Sequence, residues 1–381
     1  MDGWIHLPAG RYAATAAPLF SSFSAGLQGL SCVQGHWQSC VLVVYYLWAR
    51  AGSSAAPGSP LHRSPHSAMR LGFPVKILAR PGLRSHDSRR WQSKPHLSVS
   101  LAYLRDLFLH LGSQDIHMYR LSDRLAPYLT HPGLPHFHRQ IEECAAELAA
   151  LGQLAQALDL RLSLHAPASV LLNALDPARQ TRSQIELEAF THLFEAMGLG
   201  PDAAIIIHVG GHYQRQPEQA LAQFIAGCDR LPPAVRDRIA LEHDDHRFSV
   251  ADCLWLHERT GLRLIFDLLH HQLYNPSRLP PAQALAACLA TWPPEQTPKI
   301  HLSTPATELV RDGRGGPHPP RLNRHSHFLN PFPLIDFLRS LPRLRPFDAM
   351  IEAKACDLAL LQFRRHLAAF APDLAQRFQV R

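Results

Sequence analysis

The sequence predicts an α/β protein whose core is a (β/α)8 barrel, the TIM barrel. Eight short apolar segments recur along the chain, and longer amphipathic segments separate them. Six of the eight segments carry a histidine or an acid at or near their carboxyl ends. Such alternation is typical of a parallel sheet, eight strands close that sheet into a barrel, and the carboxyl ends of the strands form its active-site face.

The predicted strands consist mainly of aliphatic side chains. They span residues 71–78, 116–121, 161–165, 204–209, 239–242, 264–267, 299–303 and 349–352. One intervening helix is predicted over 141–158, where Ile141, Leu148, Leu151 and Leu158 recur at helical spacing. A second helix is predicted over 185–197.

Residues 1–68 differ from the rest, because Ala, Ser, Gly and Pro dominate there and 51–60 (AGSSAAPGSP) is typical of a flexible linker. We predict that 1–68 is a disordered, low-complexity extension or a stretch upstream of a mis-assigned start codon. Residues 69–381 then form the barrel domain.

Composition narrows the class of protein. The 381 residues are 46% hydrophobic and 18% charged, which suffices for a large core, and the net charge of +7 suits a polyanionic partner. Seven cysteines without a C-x-x-C pair argue against a thiolate zinc site or a disulfide framework, and they fit a cytoplasmic protein. The apolar run 40–48 is about half as long as a membrane-spanning helix, so no membrane partner is expected.

Candidate metal ligands recur at the strand ends. The third to eighth predicted strands carry, in order, His165, His208, Glu242, Asp267, His301 and Glu352. A single histidine at a strand end is usually a hydrogen-bonding residue, but six such positions in one barrel favour a shared site. Imidazole and carboxylate ligands together suit Zn, Mn or Fe.

Spacing extends the candidate set. Lys299 and His301 are two residues apart on one strand and face the same way. His270 follows Asp267 by three residues, so both can face the active-site side. His131 and His325 lie in the loops after the second and seventh strands.

The nine candidates suit two or three divalent ions rather than one, because a single zinc takes about four ligands. Clustered ions suit phosphodiester hydrolysis, and a carboxylate such as Glu242 can bridge two of them.

Two basic loops are candidate DNA contacts. The loop after the first strand carries Lys76, Arg80, Arg84, Arg89 and Arg90, and a second loop carries Arg311, Arg314, Arg321 and Arg324. Basic loops on the active-site face can hold phosphates without reading sequence, although a charge run is often only a solvated surface. We also expect a lesion pocket beside the metals, with Tyr213 or Phe73 at its edge.

Several motifs together resemble the UV damage endonucleases. They are RLGFP (70–74), IIIHVGG (205–211), LEHDD (241–245), FDLLHH (266–271), PKIHLS (298–303), RHSH (324–327) and DAMIEAK (348–354). The resemblance covers about 69–363 in consistent order, and IIIHVGG together with LEHDD is its most specific part.

The resemblance implies a metal-dependent DNA repair endonuclease that acts on damaged double-stranded DNA and needs no obligate protein partner. It implies incision immediately 5′ to a UV photoproduct, with a 3′ hydroxyl and a 5′ phosphate as products. It also implies a three-ion cluster, commonly of manganese, with zinc or magnesium as alternatives. The implied ligands are His131, His165, His208, Glu242, Asp267, His270, His301, His325 and Glu352.

We predict that Glu242, His208 and Lys299 take part in catalysis. The resemblance implies that Lys299 is carboxylated. The chain departs from the family pattern after His165, where Ala166-Pro167-Ala168 replaces Pro-Gly-Gln, so the means of probing the lesion is open. His243 replaces an asparagine, and 311–324 is longer than expected.

The sequence leaves two other functions open. One is a divalent-metal sugar isomerase or epimerase on the same barrel, which would have no need of basic loops. The other is a lesion-binding protein without catalytic activity.

Overall fold

The computed structural model describes residues 68–212, 216–311 and 316–380. Within these ranges eight parallel strands close into a barrel in sequential order, as predicted. The strands are β1 (Leu71–Pro74), β2 (Met118–Leu121), β3 (Arg161–His165), β4 (Ala204–His208), β5 (Ile239–Glu242), β6 (Arg263–Asp267), β7 (Lys299–Leu302) and β8 (Asp348–Ile351). The extension predicted over 1–68 lies outside the described residues except for Ala68.

The helices surround the barrel. They span Leu97–Ser113, Gln140–Glu143, Ala145–Ala157, Pro177–Ala196, Pro217–Asp229, Pro233–Arg236, Val250–Thr260, Leu268–Leu273, Pro281–Ala290, Pro331–Ser340, Cys356–Phe370 and Pro372–Phe378, with 3-10 turns at Trp91–Ser93 and Pro135–Phe137. Their apolar sides and the outward faces of the strands form one continuous core. No helix of the described residues is long and apolar enough to cross a membrane.

Five predicted strands differ from the observed ones by one or two residues at an end, and three predicted elements differ more. Strand β1 ends four residues early, because Val75 adopts a positive φ of 57° that an extended strand does not accommodate. The helix predicted over 141–158 is interrupted at Cys144. The helix predicted over 185–197 begins earlier, at Pro177, because the side chain of Asp176 accepts from the backbone N–H of Ala178 and caps its amino end.

The register of the sheet places candidate site residues of neighbouring strands side by side at the carboxyl end of the barrel. His208 on β4 is paired with Glu242 on β5, and Asp267 on β6 is paired with His301 on β7. At the opposite end, the buried carboxylate of Asp348 accepts from Nη1 of Arg161 at 2.8 Å and from the backbone N–H of Arg70 at 3.0 Å. The two ends of the barrel therefore have separate polar networks.

Candidate metal centre

Glu242 is the centre of the polar cluster at the carboxyl end of the barrel. Its side chain is almost fully buried at the end of β5. Its Oε2 lies 3.2 Å from Nε2 of His165 and 3.7 Å from Nε2 of His208. Its Oε1 lies 2.8 Å from Nδ1 of His301 and 3.4 Å from Nδ1 of His270. One carboxylate therefore faces four imidazoles from four different segments of the chain.

The ligand atoms form two overlapping groups. Nitrogens and oxygens of His165, His208 and Glu242 lie within 4.8 Å of one another. Those of Glu242, Asp267, His301 and Glu352 do the same. Because Glu242 belongs to both groups, it would contribute to each group if both held a divalent ion.

Two buried atoms of the second group have no hydrogen-bond partner among the described residues. They are Oδ2 of Asp267 and Nε2 of His301. The other oxygen of Asp267 accepts from the backbone N–H of His270 at 2.8 Å and caps the helix Leu268–Leu273. A buried polar atom without a partner is costly, so these two atoms fit a site that takes a cation.

Backbone carbonyls orient three of the histidines. Nδ1 of His165 lies 2.9 Å from the oxygen of Ala166, and Nδ1 of His208 lies 3.2 Å from that of Glu242. Nδ1 of His270 lies 3.0 Å from the oxygen of His243. An Nδ1–H that donates to a carbonyl leaves the lone pair on Nε2 free for a metal, which is the usual arrangement of metal-binding histidines.

The electrostatics of the cluster keep its two central carboxylates ionised. Burial would raise the pKa of Glu242, but the neighbouring His301 and His208 hold it well below its usual range. Burial would also raise the pKa of Glu352, but Arg120 and His301 lower it. For His270, burial opposes the charged form, yet Asp267 and Glu242 raise its pKa to about 9. This excess of negative charge suits divalent cations.

Lys299 lies inside the barrel beneath this cluster. Its side chain is fully buried, and Nζ donates to Oγ of Ser163 on β3 at 2.8 Å. Burial first, and then the nearby Arg120 and Arg161, hold the pKa of Lys299 well below its usual range. Burial therefore favours the uncharged form of this amine.

The two loop histidines differ in placement. His325 is half-buried, with Nδ1 3.9 Å from Oε2 of Glu352 and its ring 6.4 Å from that of His270. His131 is exposed, its Nδ1 accepts from the backbone N–H of Gly133 at 3.2 Å, and none of its described contacts reaches the other eight candidates. The structure thus brings eight of the nine predicted ligands together, and ligation by His131 remains a prediction.

All five basic residues that were predicted to contact DNA in the loop after β1 are exposed. Its backbone is held at Leu78 and Ala79, whose N–H groups donate to the carboxylate of Asp357. Arg89 is already paired, because its Nε and Nη2 donate to Asp87 at 2.9 and 2.6 Å. The second loop presents Arg311, Arg321 and Arg324 at the surface, whereas Arg314 lies outside the described residues.

The expected pocket edge at Phe73 is wrong. Phe73 is completely buried and packs edge-on against Tyr119, because alternation along β1 directs it outward into the layer of helices. The other expected edge residue, Tyr213, lies outside the described residues. A cavity of about 560 Å³ does open on the active-site face, between the loops after the first three strands. His86, Asp123, Arg124, Pro167 and His131 are among its lining residues.

Comparison with known proteins agrees with this arrangement. The family model described as UV-endonuclease UvdE matches residues 88–375. The chain belongs to the UvdE family. The UV DNA damage endonuclease of Halalkalibacterium halodurans is 30% identical over 267 residues, which cover 69% of this chain and 79% of that protein. The enzyme of the same name from Bacillus thuringiensis subsp. konkukian is 27% identical over 279 residues, covering 73% of this chain and 82% of that protein.

A solved structure supports the same family. The crystal structure of SacUVDE superposes with a TM-score of 0.66 at 25% identity and covers 79% of this chain and 98% of that chain. UvdE membership confirms the resemblance that the motifs indicated, and with it the barrel fold.

Sequence reasoning missed Arg120 and Ser163 in this UvdE site. Arg120, on β2, forms a salt bridge with Oε1 of Glu352. A single arginine within an apolar strand (MYRL) was the available signal, because a charged residue there needs a buried partner. Ser163 gave no signal, since only the closed barrel brings it to Lys299.

Proposed function

We propose that the protein is a divalent-metal-dependent DNA repair endonuclease that incises the backbone immediately 5′ to UV photoproducts. The observation that carries the proposal is the position of Glu242, which faces four imidazoles and belongs to two overlapping ligand groups. The proposal assigns this activity to residues 69–381. A role in nucleotide excision-type repair and a cytoplasmic location remain predictions.

The proposed ligands are the nine candidates, with manganese as the expected metal and two or three ions as the expected number. Divalent ions held there would supply the Lewis acidity that such a hydrolysis needs. The chain's own residues set the conditions for this chemistry. Glu242 and Glu352 stay ionised, and the carbonyl-anchored His165 and His208 keep Nε2 free.

The basic loops complete the proposed substrate site. Lys76, Arg80 and Arg90 are exposed after β1, and Arg311, Arg321 and Arg324 are exposed after β7. Both loops follow strand ends on the active-site face, so their charges can hold phosphates on either side of the scissile bond. The family membership and these loops favour a nuclease over a sugar isomerase.

The deciding experiment is nicking of UV-irradiated plasmid by protein stripped with EDTA, with and without added manganese. We expect nicking of irradiated plasmid only, and only after manganese is restored. Glu242→Ala should bind less metal and lose more than about 100-fold of the activity, since even outer partners of metal ligands are worth 10–100-fold. Wild-type-like nicking by Glu242→Ala would reject the proposed site.

The alternatives give different outcomes in the same assay. Binding to irradiated plasmid without nicking at any manganese concentration would point to a lesion-binding protein. Turnover of an aldose without nicking would point to the isomerase.

A further inference from the structure

The segment between β7 and the helix Pro331–Ser340 forms an antiparallel excursion on the active-site face. At its base, Ser326 N–H donates to the oxygen of Thr304 at 2.9 Å, and Pro305 is bridged to His325. Farther out, Val310 and His318 exchange two backbone hydrogen bonds of 2.9 and 3.1 Å. We call the described part of this segment, 304–311 and 316–326, the β7 excursion.

The β7 excursion is anchored beside the metal centre. His325 is at its base and faces Glu352. The side chain of Asn323 hydrogen-bonds Asp245 in the loop after β5. Leu322 is three residues from His325, a span of at most about 10 Å. Leu322 therefore lies close to the place where a scissile phosphate would bind.

The apolar side chains of the excursion are unusually exposed. Leu322 is 64% exposed and Leu309 is 62% exposed, the highest values among the large hydrophobic side chains of the described residues. A single exposed leucine needs no explanation, but two on one excursion next to a predicted active site do. Three prolines restrict the backbone conformation of the excursion and limit the movement of the two leucine side chains towards the protein core. They are Pro317, Pro319 and Pro320.

Three arginines are close in sequence to the two leucines. Arg311, Arg321 and Arg324 are exposed, and within the described residues none of their guanidinium groups has a hydrogen bond or salt bridge. The acid of the excursion, Glu308, lies 3.8 Å from His327. Apolar side chains flanked by unpaired arginines match a duplex, in which a leucine can enter between bases while arginines hold the phosphates.

We propose that Leu309 and Leu322 form an apolar wedge that enters the base stack of damaged duplex DNA beside the scissile phosphate, with Arg321 and Arg324 on the flanking phosphates. The inference rests on the proposed function and adds to it the means by which the lesion is separated from its neighbours.

The test compares the Leu309→Ala/Leu322→Ala double variant with Leu109→Ala, a control on the outer helix Leu97–Ser113 that is 45% exposed. The probe is a duplex with one thymine photodimer and 2-aminopurine opposite it, mixed rapidly with manganese-loaded protein. We expect a fluorescence rise before incision with wild type and Leu109→Ala, and none with the double variant.

The double variant should also bind the damaged duplex about tenfold more weakly, with unchanged affinity for undamaged duplex. Leu322→Met, which keeps an apolar side chain, should retain the signal. Equal thermal midpoints will show that the variants are folded.

The outcomes separate the two proposals. If wild type incises and the double variant gives an unchanged fluorescence rise, the wedge is refuted and the proposed function stands. If wild type neither incises nor gives the rise, the proposed function fails and the wedge fails with it.

Discussion

Oε1 of Glu242 lies 2.8 Å from Nδ1 of His301, although the two residues are 59 positions apart in the chain. They reach each other because β5 and β7 flank β6 in the closed barrel and both direct these side chains inward. His301 is completely buried there, so its ring cannot exchange this partner for bulk water. The pair therefore fixes the centre of the cluster that we propose as the metal site.

Metal affinity should rise with pH up to about 9. The pKa of His270 is raised to about 9, so this ring is protonated at neutral pH in the metal-free protein. A metal ligand must be deprotonated, and each pH unit below 9 should therefore weaken binding by about tenfold. Calorimetry in buffers of different ionisation enthalpy should show close to one proton released per ion at pH 7.

His270→Gln is the control for this pH dependence. It should bind metal more weakly but lose most of the slope below pH 9. An affinity of the wild type that stays flat between pH 7 and 9 would contradict the assignment.

Lys299 should carry a carboxyl group when bicarbonate is present. Burial lowers the pKa of its amine and so favours the uncharged form, whose nitrogen can attack the carbon of CO2, form a C–N bond and lose a proton to give a carbamate. NMR with isotope-labelled bicarbonate should show a carbamate resonance in wild type that Lys299→Met lacks. A spectrum without that resonance at any bicarbonate concentration would count against the modification.

Salt dependence should report the phosphate contacts of the loop after β1. Replacing Lys76, Arg80 and Arg90 with Gln should weaken binding to undamaged and damaged duplexes alike. It should also reduce the slope of log affinity against log salt by about 0.9 for each phosphate that the protein no longer neutralises. The control is Arg105→Gln, since Arg105 is an exposed arginine on the helix Leu97–Ser113 and not in the loop. An unchanged slope in the triple variant would show that the loop is only a solvated surface.

Gly210→Ala should destabilise the protein by about 1–3 kcal/mol. Gly210 has a φ of +116°, and a Cβ built there would lie 2.3 Å from Oδ1 of the buried Asn173. The strained residue is two positions after the proposed ligand His208, so metal binding should weaken as well. Urea unfolding measures the loss, and Gly200→Ala is the matched control, since a Cβ at Gly200 meets nothing within 4 Å.

The sequence by itself determined the barrel and the strand ends that carry the ligand candidates. Apolar segments such as 161–165 and 239–242 matched β3 and β5 residue for residue, because a strand buried on both faces leaves a local pattern of aliphatic side chains. The position of all the ligand candidates at one end of the barrel followed from topology alone, since parallel strands put all their carboxyl ends on one side.

Only the tertiary structure decided which atoms meet. Arg120 beside Glu352 and Ser163 beside Lys299 are 232 and 136 positions apart, and no local pattern records such pairs. The outward direction of Phe73 depends on where β1 begins in the register of the sheet. Strand register and side-chain packing are properties of the closed barrel, because each is set by contacts between segments that are distant in the chain.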